Sequence, residues 1–440
     1  MGRHKRRVYN NHGQSGCQKK GIELCSLPAT FQDAIKITRA VGRKYIWIDT
    51  LCIIQRSEQD WIEESAKMGS YYSSSWLTIG AGVESAQGLF EERRLDIIQY
   101  AKVDLHEPEN SRLYFTNRPV NRIIGDDQNS ILRKRAWTFQ EEILSPRYLG
   151  FQSNQMYYRC GEYIYFESGC KEWLFPPEGS ERYEGEAPLF QDLILEGDWL
   201  SDIIVDYSSR ELSHGSDKLP AISGIAHERY RLRGGHYVAG LWEEDLPQAL
   251  CWTKEYATSP CLKPVDYRAP SWSWAAIDGK VAPVRIISSV IEADIVYVST
   301  KPKGADSMGA VSGGVLVVCG VLRPGLLHTK QKWIEGRSIT KYDFKLLCSN
   351  EYAADDTIYT FVPDTSDYSD IHTTLWFFNI TSQLGLALIP VSSSHPQHSK
   401  TTFERVGLIQ ISMQINDDLI IAGSAANLSK EKFRTTITIV

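Results

Sequence analysis

The residues with the type and spacing to do chemistry sit in two short stretches. In "RAWTFQEEILSPR", residues 135–147, the pattern reads as one helix stopped by Pro146. Residues four and seven apart share a helix face, which puts Trp137, Glu141 and Leu144 on one side. A carboxylate on such a face must be paired, or it takes up a proton. Arg133, Arg135 and Arg147 are close enough in sequence to pair with it. Glu141 is thus either half of a structural ion pair or the working acid of a site. The second stretch is "KYIWIDTLCII", a β-branched and aromatic run that reads as a strand buried on both faces. Asp49 would stand at its carboxyl end. Ligands of open α/β sheets bind beyond those ends, although an Asp there also serves as a plain loop cap.

Around these residues the chain alternates helix and strand. "LCSLPATFQDAIKITRAVG" has helical spacing at Leu27, Phe31, Ala34/Ile35, Thr38 and Val41, with Pro28 in its first turn and Gly42 at its end. "SEQDWIEESAKMGSYYSSS" is helical again, with Trp61, Ser65, Met68 and Tyr72 in one stripe and Ser57 with Asp60 as a capping start. "WLTIGAG" reads as a second buried strand and "RYLGFQSNQMYYRC" as one or two more. Alternation of this kind implies an α/β layer with a parallel sheet. Beyond about residue 281 the pattern changes to short strands between turns, the signature of a β sandwich or barrel. The expected order is a basic disordered tail (1–22), an α/β domain (23–165, with an insertion at 91–130), an acidic Gly/Pro linker (166–205), a helical and Trp-rich segment (206–280) and a β-rich domain (281–440).

Composition narrows the class. With 440 residues, 42% hydrophobic and 23% charged, the chain expects about two or three globular domains. A net charge of −6 gives no nucleic-acid signature, and no run approaches the roughly 18 apolar residues of a membrane span. The basic first residues lack the apolar core of a signal peptide. Nine scattered cysteines, without a CxxC, suit reduced and mostly buried thiols in an intracellular protein. Other motifs carry little. "IGAGVES" has Ser85 where a phosphate loop wants a third glycine, and "HERYR" lacks the second His of a zinc helix. There is no GxSxG elbow and no cluster with metal-ligand spacing. Trp272 and Trp274 alternate at strand period, which fits core packing better than ligand stacking.

Taken in order, "LPATFQDAI … YIWIDTLCIIQ … DWIEESAKMGSYYSSSWLTIGAG" and "RAWTFQEEILSPRYLGF" resemble the heterokaryon incompatibility (HET) domain of filamentous fungi. "DKLPAISGIA", "YVAGLWEEDLPQALCW" and "APSWSWAAIDG" resemble the blocks that follow it. The resemblance implies a cytoplasmic protein of self/non-self recognition and programmed cell death, acting with an unknown protein partner and able to self-associate. It implies a flavodoxin- or TIR-like parallel sheet. Some TIR domains cleave NAD⁺ at the nicotinamide bond with one Glu, on a helix with a W-C-x-x-E-like pattern. Trp137-Thr138-Phe139-Gln140-Glu141 has the same Trp-to-Glu spacing. On that reading Glu141 is catalytic, Asp49, Trp137 and Glu64 line the substrate site, and NAD⁺ is substrate with no resident cofactor. The alternatives are a non-enzymatic signalling or oligomerisation module and an inactive, truncated copy. Two departures bear on them. The first-strand motif near L-S-Y-x-W-G is not found in residues 1–23, and Glu142 stands where the family often has Arg.

Overall fold

A computed structural model describes residues 21–82, 88–90, 100–104, 112–116, 130–152, 155–167, 169, 171–173, 194, 197–255, 262–284, 290–334, 337–347, 357–365, 374–391, 402–413 and 434–440. Most of the expected linker, much of the 91–130 insertion, Ser85 and the first twenty residues lie outside this set. The chain divides into two compact units, Met1–Leu193 and Ile194–Val440.

In the first unit, helix α1 (Ala29–Ala40) follows Pro28, which caps it rather than entering it. Its buried face is Thr30, Asp33, Ala34 and Ile37, offset from the stripe read from the sequence. The reason is visible at Asp33, whose Oδ2 accepts from the Leu89 amide at 2.9 Å and turns that side inward. The run "YIWID" is not a strand. Ile48 is extended, but residues 43–48 pair with no neighbour among the described residues, and Tyr45 is 91% exposed. β-branched composition gives a strand only where another strand lies alongside to take its hydrogen bonds. Asp49 therefore opens a one-turn helix, α2 (Asp49–Cys52), instead of ending a strand. The next helical stretch is broken into α3 (Glu58–Ser65) and α4 (Met68–Ser73). Ser57 caps α3 as its spacing predicts, accepting from the Asp60 amide at 3.3 Å.

Strand β1 (Thr78–Ala81) lies where "WLTIGAG" predicts a strand. β2 (Tyr100–Asp104) and β3 (Arg112–Thr116) form a separate hairpin. Helices α5 (Ile131–Lys134) and α6 (Trp137–Leu144) precede β4 (Tyr148–Phe151), β5 (Met156–Arg159), β6 (Tyr163–Phe166) and β7 (Lys171–Trp173). The sheet runs β1-β4-β5-β6-β7. Only β1 and β4 are parallel; the other pairings are antiparallel, so this is a mixed sheet. The parallel pair has a crossover containing α6 and packs Phe151, Ile79 and Leu149 against Ala34 and Ile37 of α1. The connections between β4, β5 and β6 are too short for a crossover and allow only antiparallel neighbours, which is why the alternation ends there.

The second unit contains α7 (Val205–Ser208) and α8 (Pro220–Arg233), two small antiparallel strand pairs, β8 (Tyr237–Val238) with β9 (Leu241–Trp242) and β10 (Trp252–Lys254) with β11 (Val281–Pro283), and a buried tryptophan cluster. Trp272 and Trp274 are fully buried, as core packing requires, but on a turn and a 3₁₀ segment rather than a strand. Gly240 joins two of these indoles, its carbonyl accepting from Trp199 Nε1 at 2.9 Å and Trp274 Nε1 at 2.7 Å. Its φ is +95°, and a Cβ there would lie 2.8 Å from Trp274 Nε1. Gly240→Ala is expected to cost about 3 kcal/mol, from backbone strain plus overpacking, measured by urea unfolding.

The β-rich part is β12 (Asp294–Pro302), β13 (Val311–Ile334), β14 (Arg337–Leu346), β15 (Thr357–Pro363), β16 (Thr374–Asn379), β17 (Leu384–Pro390), β18 (Thr402–Met413) and β19 (Arg434–Ile439). The long β13 pairs with β14 on one edge and β16 on the other, so β13-β14-β15-β18-β17-β16 closes into a ring. Every strand of that ring places a residue in one cluster: Leu327, Phe344, Phe361, Ile409, Ala387, Leu375 and Phe377. Side chains fill a ring of this size, as in other small barrels. Of the five described free cysteines only Cys251 is buried and Cys52 is exposed, against the expectation of mostly buried thiols. Among the described residues no helix is long and apolar enough to cross a membrane.

Candidate functional site

Helix α6 is held at both ends. Ala136 offers no side-chain cap, and the Thr138 hydroxyl turns back to the carbonyls of Leu132 and Arg135, fixing the first turn against α5. At the other end Ser145 Oγ lies 2.5 Å from Thr78 Oγ1 and 2.5 Å from the Glu141 carbonyl, tying the helix to β1. Phe139, Gln140, Ile143 and Leu144 make the buried face. Trp137 and Glu141 lie at its margin, each half-buried. Trp137 meets Trp61 of α3 edge-on, ring centroids 5.4 Å apart.

Glu141 accepts a hydrogen bond from the Tyr72 hydroxyl, brought in by α4. Among the described residues no Lys or Arg forms an ion pair with it; Arg135 acts on it only through its field. Desolvation, with the Asp49 carboxylate nearby, lifts its carboxyl from 4.5 to about 7, against the opposing pull of Arg135 and Tyr72. The structural ion pair that the sequence left open is thus not what holds Glu141. Glu142, in contrast, is buttressed structurally. Its carboxylate accepts from Tyr157 at 3.2 Å, and Arg159 donates to its carbonyl.

The four residues singled out from the sequence fall in one neighbourhood. Asp49 is exposed, its Oδ1 accepting from the Thr50 amide at 2.7 Å, and its charge reaches both Glu141 and Tyr72. Glu64 accepts from Lys67 at 2.8 Å and from the Tyr71 hydroxyl at 2.7 Å. The Lys67 bond holds the Glu64 carboxyl below its ordinary value. Cys52, although exposed at its surface, is partly desolvated by its neighbours, which raises its thiol, and Asp49 and Glu64 push the same way. Trp47 completes the set, 5.2 Å from Tyr71 and 5.9 Å from Tyr72 between ring centroids.

Sequence reasoning missed Tyr72 and Trp47 as site residues. Tyr72 was legible as the last member of the Trp61–Ser65–Met68 stripe, but not as a donor to Glu141. Chemically, the arrangement offers one acid poised near neutrality, a fixed second carboxylate, a phenol and aromatic rings. Among the described residues no group of His, Cys, Asp and Glu could hold a metal ion. A cavity in the second unit, lined by Asp198, Trp199, Glu244, Asp245 and Pro283 among others, contains none of the predicted site residues.

A family model described as "Heterokaryon incompatibility protein (HET)" matches residues 3–141. No curated protein and no solved structure matches the chain. The match begins inside the stretch read as a basic tail and ends on Glu141 itself. It covers α1 to α4, β1 and most of α6, the elements that assemble the acid cluster. The first part of this chain, residues 3–141, is therefore similar to the heterokaryon incompatibility (HET) domain.

Proposed function

We propose that the chain acts in fungal self/non-self recognition as a cytoplasmic cell-death effector, and that it does so by cleaving NAD⁺ at the nicotinamide–ribose bond. The observation that carries the enzymatic reading is Glu141: a desolvated carboxyl without an ion-pair partner among the described residues, beside a second carboxylate, on a helix with the Trp-to-Glu spacing of NAD⁺-cleaving TIR domains. Strongly perturbed acids cluster at functional sites, because an unpaired buried charge otherwise costs stability without return. The TIR-like relation of the fold belongs to this proposal and rests on that spacing.

The chemistry is balanced by water alone. The C1′–N bond breaks with its electron pair going to the pyridinium nitrogen, releasing neutral nicotinamide. Positive charge develops on the ribose, as in glycosidases, where a carboxylate stabilises it. The Glu141 carboxylate faces that charge while water adds to C1′ and its proton passes to solvent, leaving ADP-ribose. Tyr72 holds the acid, Asp49 accepts from the ribose hydroxyls, and Trp137 with Trp61 shields the face from bulk water. Glu64, paired with Lys67, serves as a wall of the site.

Purified protein incubated with NAD⁺ is expected to release nicotinamide, and Glu141→Ala to lower the rate by about a thousandfold. Turnover that survives Glu141→Ala would remove Glu141 from the chemistry. Absence of turnover in monomeric and self-associated wild-type protein would favour a non-enzymatic docking module.

A further inference from the structure

Beyond the acid cluster, a pair of cations is held on one aromatic ring. Arg43 lies with its guanidinium carbon 4.1 Å from the centroid of Trp76, and Arg147 lies 5.5 Å from the same ring. Arg147 Nη1 also donates to the Trp76 carbonyl at 3.4 Å. Trp76 is 41% exposed and Arg43 is exposed, while Arg147 is half-buried and also donates to the Tyr158 hydroxyl, which leaves its charge without a carboxylate. Among the described residues no Asp or Glu forms an ion pair with either arginine. One cation on an indole is a common packing arrangement. Two cations on one indole repel each other, and the repulsion is relieved by a dianion. Paired guanidinium forks are matched to phosphate oxygens.

The stack is tied to the acid cluster by three separate stretches of chain. Trp47, packed on Tyr72, lies four residues after Arg43. Trp76 lies four residues after Tyr72, the donor to Glu141. Arg147 lies six residues after Glu141. An extended chain advances at most about 3.5 Å per residue, so Arg43 and Trp76 each lie within about 14 Å of a site residue along the backbone. Helical turns in α4 and α6 make two of the three paths shorter still. All three paths start at the cluster and end at the same ring.

We infer that Arg43, Trp76 and Arg147 form a diphosphate-binding subsite, which grips the phosphates of a nucleotide whose ribose reaches Glu141. This rests on the glycohydrolase reading for its substrate, and adds the residues that select a nucleotide over a nucleoside. Arg147 holds one phosphate from the end of α6, and Arg43 the other from the extended segment before α2. Trp76 keeps both forks from folding onto carboxylates elsewhere.

Calorimetric titration of the full chain with ADP, adenosine and inorganic pyrophosphate tests it. ADP is expected to bind and adenosine to bind at least about tenfold more weakly. Arg43→Gln and Arg147→Gln should each weaken ADP at least about tenfold, and raise KM for NAD⁺ more than they lower kcat. Glu141→Gln should leave ADP binding in place. Arg43 is exposed, so its variant is expected to melt with the wild type, and Arg43→Lys, which keeps charge but loses the fork, should fall between. ADP affinity that ignores both arginines overturns the subsite, even if NAD⁺ is cleaved. Equal binding of pyrophosphate and ADP also overturns it, assigning the stack to free diphosphate. Arginine-dependent ADP binding without NAD⁺ cleavage supports the subsite and removes the glycohydrolase.

Discussion

Glu141→Gln is expected to abolish turnover and, at pH 8, to make the protein more stable than the wild type. The second effect follows from the direction of the Glu141 shift, from 4.5 to about 7. Between those values the unfolded chain has lost the proton that the folded chain keeps. Folded protein therefore binds more protons, and stability falls as pH rises through this window. Below pH 4.5 both states are protonated and nothing is lost. Above 7 the whole cost is present, about 3 kcal/mol at about 1.4 kcal/mol per pH unit. Gln has the shape of the protonated acid and no charge to desolvate, so its variant should show no such decline. Urea unfolding at pH 5 and pH 8 checks it: the two proteins should differ little at pH 5 and clearly at pH 8. Identical pH slopes would mean that the Glu141 carboxylate is solvated. Turnover should rise with pH through about 7, because the ionised form faces the ribose cation. Asp49→Asn removes a charge that raises the Glu141 value and should move that rise to lower pH. Tyr72→Phe removes a hydrogen bond that lowers it and should move the rise to higher pH.

The same residues mark where sequence reading succeeds and where it stops. Period and caps are local, so the α6 helix, the Ser57 cap, β1 and the β-rich second half were legible. The HET resemblance was legible too, because its motifs are long and ordered. The strand at "YIWID" failed because a strand is a relation between two segments, and composition reports only one of them. Asp49 reached the Glu141 neighbourhood all the same, carried there by α2 rather than by a strand end. The ring of six strands was out of reach for a similar reason. Its closure depends on β13 being long enough to pair with β14 and β16 on opposite edges, and only register shows that. Tyr72 and Trp47 were missed because a phenol on a stripe and an indole in an apolar run look like core until a carboxylate is placed beside them.

Arg405→Met is expected to destabilise the second unit by about 3–5 kcal/mol. Arg405, on β18, has a side chain that is 0% exposed, and Asp364, just after β15, has one that is 7% exposed. Two bonds join them, Nε to Oδ2 at 2.9 Å and Nη2 to Oδ1 at 3.0 Å. The same guanidinium donates to the carbonyls of Leu250 at 2.6 Å and Trp252 at 2.7 Å, and lies 3.5 Å from the Trp252 ring centroid. One side chain thus satisfies a strand of the ring, the loop leaving β15 and the turn that enters β10. Met fills similar volume but supplies no donors. It leaves a buried carboxylate and two buried carbonyls without their partner, and this orphaning costs more than the pair itself contributes. The double variant Arg405→Met/Asp364→Leu should therefore recover part of the loss, since the carboxylate goes with its partner. The two carbonyls stay unsatisfied in the double variant, which sets the part that is not recovered. Chemical denaturation of the four proteins in the cycle measures both shares. Additive losses would show that the Asp364 carboxylate is stabilised by Lys254 or by water rather than by Arg405. A recovered double variant would instead show that the loss in Arg405→Met comes from the orphaned Asp364 carboxylate.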